Sequence, residues 1–149
     1  MAKPIIPIGA DHRGYKLKAH FIEWLAGHGY EAADLGTHSE ERCDAFDFAK
    51  KLAEAFKSNG VQSGVLICGT GQAMAMTANR YKNIRAALCA NADIAKLTRE
   101  HNDTNVLVLG ADFISPEEAV KCLEAFLSTK FLGGRYAERR DKLTALGGL

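Results

Sequence analysis

The chain has 149 residues, of which 47% are hydrophobic and 25% charged, with a formal net charge of +1. That length makes one ordinary domain able to bury a core without staples, and the composition is that of a soluble globular protein. The near-neutral balance excludes a general polyanion binder such as a non-specific nucleic-acid protein. No apolar run approaches the roughly 18 residues of a membrane span. The segment 1–7 is too short and too weakly charged for a secretion signal, so a cytoplasmic location is expected.

Strand-like and helix-like segments alternate. Residues 5–9 read as a first strand. A helix follows over about 15–27, where Leu17, Phe21, Trp24, Leu25 and His28 recur at helical spacing and Gly29 supplies the stop. Residues 30–35 form a weaker second strand, and 46–56 a helix with Phe48, Leu52, Ala55 and Phe56 on one side. A third strand over 64–68 leads to a helix over 73–81, and a fourth over 85–89 to a helix over 92–101. In that last helix Ile94, Leu97, Thr98 and His101 follow the i, i+3, i+4, i+7 pattern, which puts His101 on the core-facing side at the end nearest the 68–73 loop. A fifth strand spans 105–110. The helix over 116–129 has Ser115 as N-cap and Pro116 at its first position. A last helix spans about 135–146.

The later strands are continuous apolar runs, the mark of a parallel sheet covered on both faces. Alternating β and α units with short connections imply right-handed crossovers. The expected fold is α/β: a single Rossmann-like three-layer domain over 1–149, with a five-stranded parallel sheet and helices on both faces. Ligands of such folds bind at the carboxyl ends of the strands. That rule selects Asp11 and His12 and residues 37–44, 68–73, 89–93 and 110–112.

The strongest local signal is Cys68-Gly69-Thr70-Gly71-Gln72-Ala73, between a buried strand and a helix. Two glycines allow a tight turn with N–H groups facing a ligand, and the helix N-terminus adds partial positive charge; together they suit a phosphate or an enediolate oxygen. A plain strand-to-helix turn would look the same. There is no G-K-S/T, so the segment is not a P-loop. Met74 stands where the dinucleotide pattern needs its third glycine, and the acidic residue expected further on is missing. A thiol near a helix N-terminus can be activated as a base; the bland alternative for Cys68 is a small packing residue.

Of the four cysteines, none form a C-x-x-C pair, so neither zinc nor a redox couple is expected. Cys89 and Cys122 sit in apolar patterns and read as packing residues, and Cys43 as incidental in a polar loop. His12, His20 and His28 are evenly spaced, but on a helix the last two lie about 12 Å apart along the axis and point differently. No metal and no cofactor are expected. Arg135 and Arg139 stand one helical turn apart, a fork suited to a phosphate dianion or a solvated basic face.

In combination the chain resembles the type B ribose-5-phosphate isomerases and their galactose-6-phosphate isomerase relatives, over nearly its whole length. The resemblance is carried by Gly9-Ala10-Asp11-His12-Arg13-Gly14, Ile67-Cys68-Gly69-Thr70-Gly71, Ala78-Asn79-Arg80, His101-Asn102-Asp103-Thr104-Asn105-Val106-Leu107 and Gly133-Gly134-Arg135. It implies a metal-free aldose–ketose isomerisation of a sugar phosphate through an enediolate, ribose 5-phosphate to ribulose 5-phosphate first among the candidates. Cys68 matches the base and Thr70 its hydroxyl partner, with the amides around Gly69, Gly71, Gln72 and Ala73 at the enediolate oxygen. His101 matches the residue that opens the sugar ring, with Asp11 and Asn102 nearby. His12, Arg135 and Arg139 match the phosphate binders. In the family the C-terminal arginines reach into a neighbouring subunit's site, which implies a homodimer or a dimer of dimers with shared sites.

One branch of the family uses a Glu base where this chain has Met74, which supports Cys68. Other departures bear on the substrate. The family usually has Arg at Asp112, Tyr at Ala45, Pro at Phe46, His at Tyr136 and Gly at Ala73. A carboxylate at 112 would repel a phosphate unless a cation offsets it, and Arg13, beside His12, is a better candidate for that than Arg140. An isomerase of a tetrose or hexose phosphate and a non-catalytic phosphosugar sensor are the alternatives. Neither nucleic acid nor a membrane is expected as a partner.

Overall fold

The computed structural model describes residues 2–58 and 60–149. Its centre is a five-stranded parallel sheet in the order β2-β1-β3-β5-β4. The strands are β1 (Ile5–Ala10), β2 (Glu31–Asp34), β3 (Gly64–Cys68), β4 (Ala86–Leu88) and β5 (Val106–Gly110). The middle strands β3 and β5 are buried at every position, as their unbroken apolar runs require.

Successive side chains feed two separate cores, because a strand alternates its faces. Ile6, Ile8, Val65, Ile67, Leu107 and Leu109 join Phe21 and Leu25 of α1 (Tyr15–Gly27), Ala95 of α4 (Ala92–Asn102) and Ala119, Leu123 and Phe126 of α5 (Pro116–Ser128). Leu66, Cys68, Val106 and Val108 join Phe48, Ala49 and Leu52 of α2 (Ala45–Ala55) and Met74 and Ala78 of α3 (Gln72–Ala78). The result is the three-layer sandwich expected. Helix α6 (Arg135–Ala145) lies outside the layers, against α4. Ser115 caps α5 as predicted, accepting from the Glu118 amide at 3.1 Å. No described helix is long and apolar enough to cross a membrane.

Two helix faces differ from the periodic reading. In α1, Phe21 and Leu25 are buried, but the third buried side chain is Lys18, whereas His28 is exposed and stacks on Trp24. Lys18 can be buried because its Nζ meets Asp34 Oδ1 at 2.6 Å. In α4 only Ala95 is buried, and Ile94 and Leu97 remain 43% and 45% exposed. An apolar stripe announces that a surface will be covered, not which surface covers it, and here α4 turns its stripe away from its own core. Smaller differences lie at the ends: α3 stops at Ala78 rather than about 81, and a single 3-10 turn (Ala111–Phe113) follows β5.

Asn79 completes the sheet. Its Nδ2 donates to the Ala86 carbonyl at 2.9 Å and its Oδ1 accepts from the Ala86 amide at 2.8 Å, so one side chain fills the place of a neighbouring strand beside β4. Loss of both bonds in Asn79→Ala should cost about 1–2 kcal/mol, since water can reach the groups left behind. A lowered urea midpoint with an unchanged slope would register it.

Candidate active site

Three adjacent strands, β1, β3 and β5, deliver their carboxyl ends to one edge of the sheet. After β1, Asp11 is 7% exposed and its Oδ1 accepts from the amides of Arg13 and Gly14 at 3.0 and 3.2 Å. The carboxylate thereby turns the chain from strand into helix and holds His12 at the edge. His12 Nδ1 accepts the Cys43 amide at 3.3 Å, with the Cys43 sulfur 3.9 Å away. In the neutral ring that bond leaves the proton on Nε2, free to be donated to an anion.

The segment that carries Cys43 is anchored to β1 through its beginning. Ala10 and Thr37 amides donate to Gly36 and Ala10 carbonyls at 2.8 and 2.7 Å, and Asp34 accepts from both Lys18 and the Gly36 amide. Burial alone would raise the Asp34 carboxyl, but the Lys18 hydrogen bond and the Gly36 amide outweigh it and hold the group below its ordinary value.

Cys68 ends β3 and is 4% exposed. Its Sγ accepts the Gly71 amide at 3.1 Å, while the exposed Thr70 offers its hydroxyl oxygen to the Gln72 amide at 3.3 Å. Two of the amides expected to face a ligand are thus engaged within the loop, one of them at the sulfur itself. The N-cap Gly71 of α3 supplies no side-chain hydrogen bond, so beyond the engaged Gln72 amide the Ala73 N–H is left open to a ligand. Gly71 has φ +79°, and a Cβ there would collide with the Leu88 side chain. A cavity of about 390 Å³ beside the loop is lined by Thr70, Gln72, Leu88, Ala90, Phe113 and Ile114.

Beyond β5, the Asp112 amide donates to the Gly69 carbonyl at 3.0 Å, and its carboxylate meets Arg13 Nη2 at 2.7 Å. The ion pair straps the β1 loop to the β5 loop across Gly69, where a Cβ would come within 2.9 Å of both Arg13 Cδ and Asp112 Oδ2. Arg13 therefore neutralises the carboxylate, as the sequence reading ranks it to do, and Arg140 is engaged elsewhere.

His101 and Asn102 are not at this edge. Helix α4 runs back along the sheet, so its last turn lies at the amino ends of the strands, just before β5 begins at Val106. The length of β5 alone, five residues, separates His101 from Cys68 by about 15 Å. The expectation that His101 lies nearest the 68–73 loop of its own chain is therefore corrected: a crossover helix ends opposite to where the strand before it ended.

His101 has other company. Its ring stacks on Tyr136, with centroids 4.5 Å apart and planes 13° from parallel. The guanidinium carbons of Arg135 and Arg139 lie 5.0 and 5.8 Å from the Tyr136 centroid. Behind them Asp103 receives Arg140 at 2.7 Å, Arg99 at 3.0 Å and Arg85 at 3.4 Å. Burial would raise the Asp103 carboxyl, but hydrogen bonds from Arg140 and Arg99 and the charge of Arg85 hold it below its ordinary value. Asn102 borders a second cavity, of about 340 Å³, with Arg85, Thr98 and Leu143.

The predicted residues thus fall into two groups at opposite edges: Asp11, His12 and the 68–73 loop at one, and His101, Asn102, Arg135 and Arg139 at the other. The sequence reading takes Cys43 as incidental and Tyr136 only as a departure from the family pattern, and gives Asp103, the hub of three guanidinium groups, no role of its own. Only the Arg99–Asp103 spacing of four leaves a local trace. Among the described residues no group of three or more His, Cys, Asp or Glu is arranged to hold a metal ion. Burial pushes the Cys89 thiol up to about 11 and the Cys122 thiol up to about 12, in keeping with packing roles.

The family model described as Ribose/Galactose Isomerase matches residues 6–143. Ribose-5-phosphate isomerase B of Escherichia coli is 39% identical over 141 residues, 95% of each chain. The structure of ribose-5-phosphate isomerase B from Clostridium thermocellum superposes with a TM-score of 0.92 at 42% identity, covering 95% of this chain and 96% of that one. The Mycoplasma genitalium enzyme, solved with bound ribulose-5-phosphate, gives 0.91 at 37% identity over 95% of each. Likeness of this extent, in sequence and in fold, makes the chain a member of the ribose/galactose isomerase family and an aldose–ketose isomerase.

Proposed function

We propose that the protein interconverts ribose 5-phosphate and ribulose 5-phosphate through an enediolate, in sites each assembled from two copies of the chain. The observation that carries this reading is the division of the site residues. A thiol and an open helix turn occupy one edge of the sheet, and a histidine with two arginines occupies the other. Neither half can act alone, and a two-fold axis between two copies would bring unlike halves together twice. The relatives named for ribose 5-phosphate add the substrate.

In the assembled site, His101 of the second copy protonates the ring oxygen as the anomeric hydroxyl loses its proton, which opens the sugar. Cys68, as thiolate, takes the proton from C2, and the C–H electrons become the C1–C2 double bond of the enediolate. The Gly71 amide stands where the sulfur bears negative charge, and the open Ala73 amide in the first turn of α3 stands ready for the enediolate oxygen. The thiol returns its proton to C1, while the hydroxyl proton passes from O2 to O1 by way of Thr70. His12, with Arg135 and Arg139 of the second copy, holds the phosphate and so positions the carbons.

The Arg13–Asp112 pair favours the ribose 5-phosphate reading over a sugar of another length, because it removes the repulsion that an unpaired Asp112 would exert on the phosphate. The loop amides can act as electrophile without a metal. Ribose 5-phosphate should have a kcat/KM at least tenfold above four- and six-carbon sugar phosphates, unchanged after exhaustive EDTA treatment. A better tetrose or hexose phosphate would reassign the substrate. Loss on chelation with rescue by a divalent ion would overturn the mechanism. Ligand-induced stabilisation with no turnover of any sugar phosphate would count against catalysis.

A further inference from the structure

Helix α6 and the segment before it are held to the end of α4 by two polar contacts besides the His101–Tyr136 stack. Arg140 Nη1 meets Asp103 Oδ2 at 2.7 Å, and the Leu132 amide donates to the Glu100 carbonyl at 3.1 Å. These fix the backbone of α6 but not the direction of its long, exposed side chains. Tyr136 supplies that direction. Its ring lies against the His101 imidazole, carries the Arg135 guanidinium at 5.0 Å and that of Arg139 at 5.8 Å, and its hydroxyl oxygen accepts from Arg135 Nη2 at 3.1 Å.

We propose that Tyr136 is a positioning residue of the isomerase site: an aromatic platform that sets His101 and both phosphate-side arginines in one arrangement before substrate arrives. This rests on the reading of those three groups as the half-site offered to a second copy. A guanidinium over a ring face is attracted by the ring quadrupole, and parallel rings stack favourably. An arginine free in water loses most of its rotamer freedom when it grips a phosphate. One already resting on Tyr136 has lost part of that freedom beforehand, so binding is less opposed. The same ring fixes the plane of His101 and hence the line along which its proton reaches the sugar ring oxygen. Tyr136 thus acts on phosphate affinity through the arginines and on turnover through the histidine. The hydroxyl bond to Arg135 is the lesser part, because the ring face serves both arginines and the imidazole.

The test compares Tyr136→Phe and Tyr136→Leu with the unmodified protein. Three quantities are read: the Kd for inorganic phosphate by titration calorimetry, and KM and kcat on ribose 5-phosphate. Tyr136→Leu keeps bulk without a π face. It should raise the phosphate Kd and KM by about tenfold and lower kcat several-fold. Tyr136→Phe keeps the platform and should stay within about twofold on all three. Thermal midpoints should agree among the three proteins, because the Asp103–Arg140 clamp is untouched. Equal values for Tyr136→Leu and Tyr136→Phe would show that bulk suffices and overturn the proposal, as would an unchanged phosphate Kd in Tyr136→Leu. If the unmodified protein fails to turn over ribose 5-phosphate, the functional reading fails, and the phosphate Kd series still decides the role of Tyr136.

Discussion

Cys68→Ala should lose turnover on ribose 5-phosphate by about 10²–10⁴-fold, the usual size of a lost general base, while KM changes little. The expectation follows from position and company. Cys68 closes the central strand β3, with its sulfur facing the Gly71 amide, and the neighbouring Thr70 already accepts from the Gln72 amide. Met74, one turn into α3, has no proton-accepting group and is fully buried. Binding should persist because the proposed phosphate ligands, His12, Arg135 and Arg139, are left in place. Removing one buried sulfur leaves a small void, so the fold should survive with a modest loss of stability. A coupled assay beside a calorimetric Kd for substrate separates the two effects. Near-normal turnover in Cys68→Ala would remove the sulfur from the mechanism.

Mixing Cys68→Ala with Arg139→Ala should restore activity that neither has alone. Each variant disables a different half, and the halves lie at opposite edges of the sheet. After subunit exchange between equal amounts in a two-fold dimer, a mixed pair concentrates both lesions in one site and leaves the other intact. Random exchange then returns about a quarter of full activity. The recovery should develop at the rate of exchange and disappear if each variant is first cross-linked to itself. A mixture that stays inactive while mass spectrometry shows mixed dimers would defeat the shared site, and so would a fully active monomer.

The layers of the fold could be read from the chain because burial on both faces leaves an unambiguous mark. Val-Leu-Ile-Cys at 65–68 and Val-Leu-Val-Leu at 106–109 have no polar position to expose. The turn chemistry was as plain at Ser115-Pro116. What could not be read was orientation relative to things outside the local run. Ile94 and Leu97 form a regular apolar stripe, and nothing in a periodicity distinguishes a stripe that meets its own sheet from one left for another surface. Lys18 looks like a solvated residue until Asp34, sixteen positions on, comes within 2.6 Å. The candidate site could be listed as residue types but not placed as a geometry. His101 and Cys68 are of residue types suited to the proposed reaction, yet their separation follows from the direction of a crossover helix, and Tyr136 meets His101 only when α6 folds back onto α4.

The side chain of Asn79 has a consequence for how copies can meet. In β4 the groups of Ala86 point away from β5, and both are taken by one carboxamide. An incoming strand would have to evict that amide before it could pair there, so the sheet is closed to lengthening at this margin. At this margin a second chain would meet helical surfaces instead of a strand, with the exposed Ile94 and Leu97 of α4 among those on offer. An isologous contact of that kind closes with the pair, whereas a sheet that accepts one strand can accept the next.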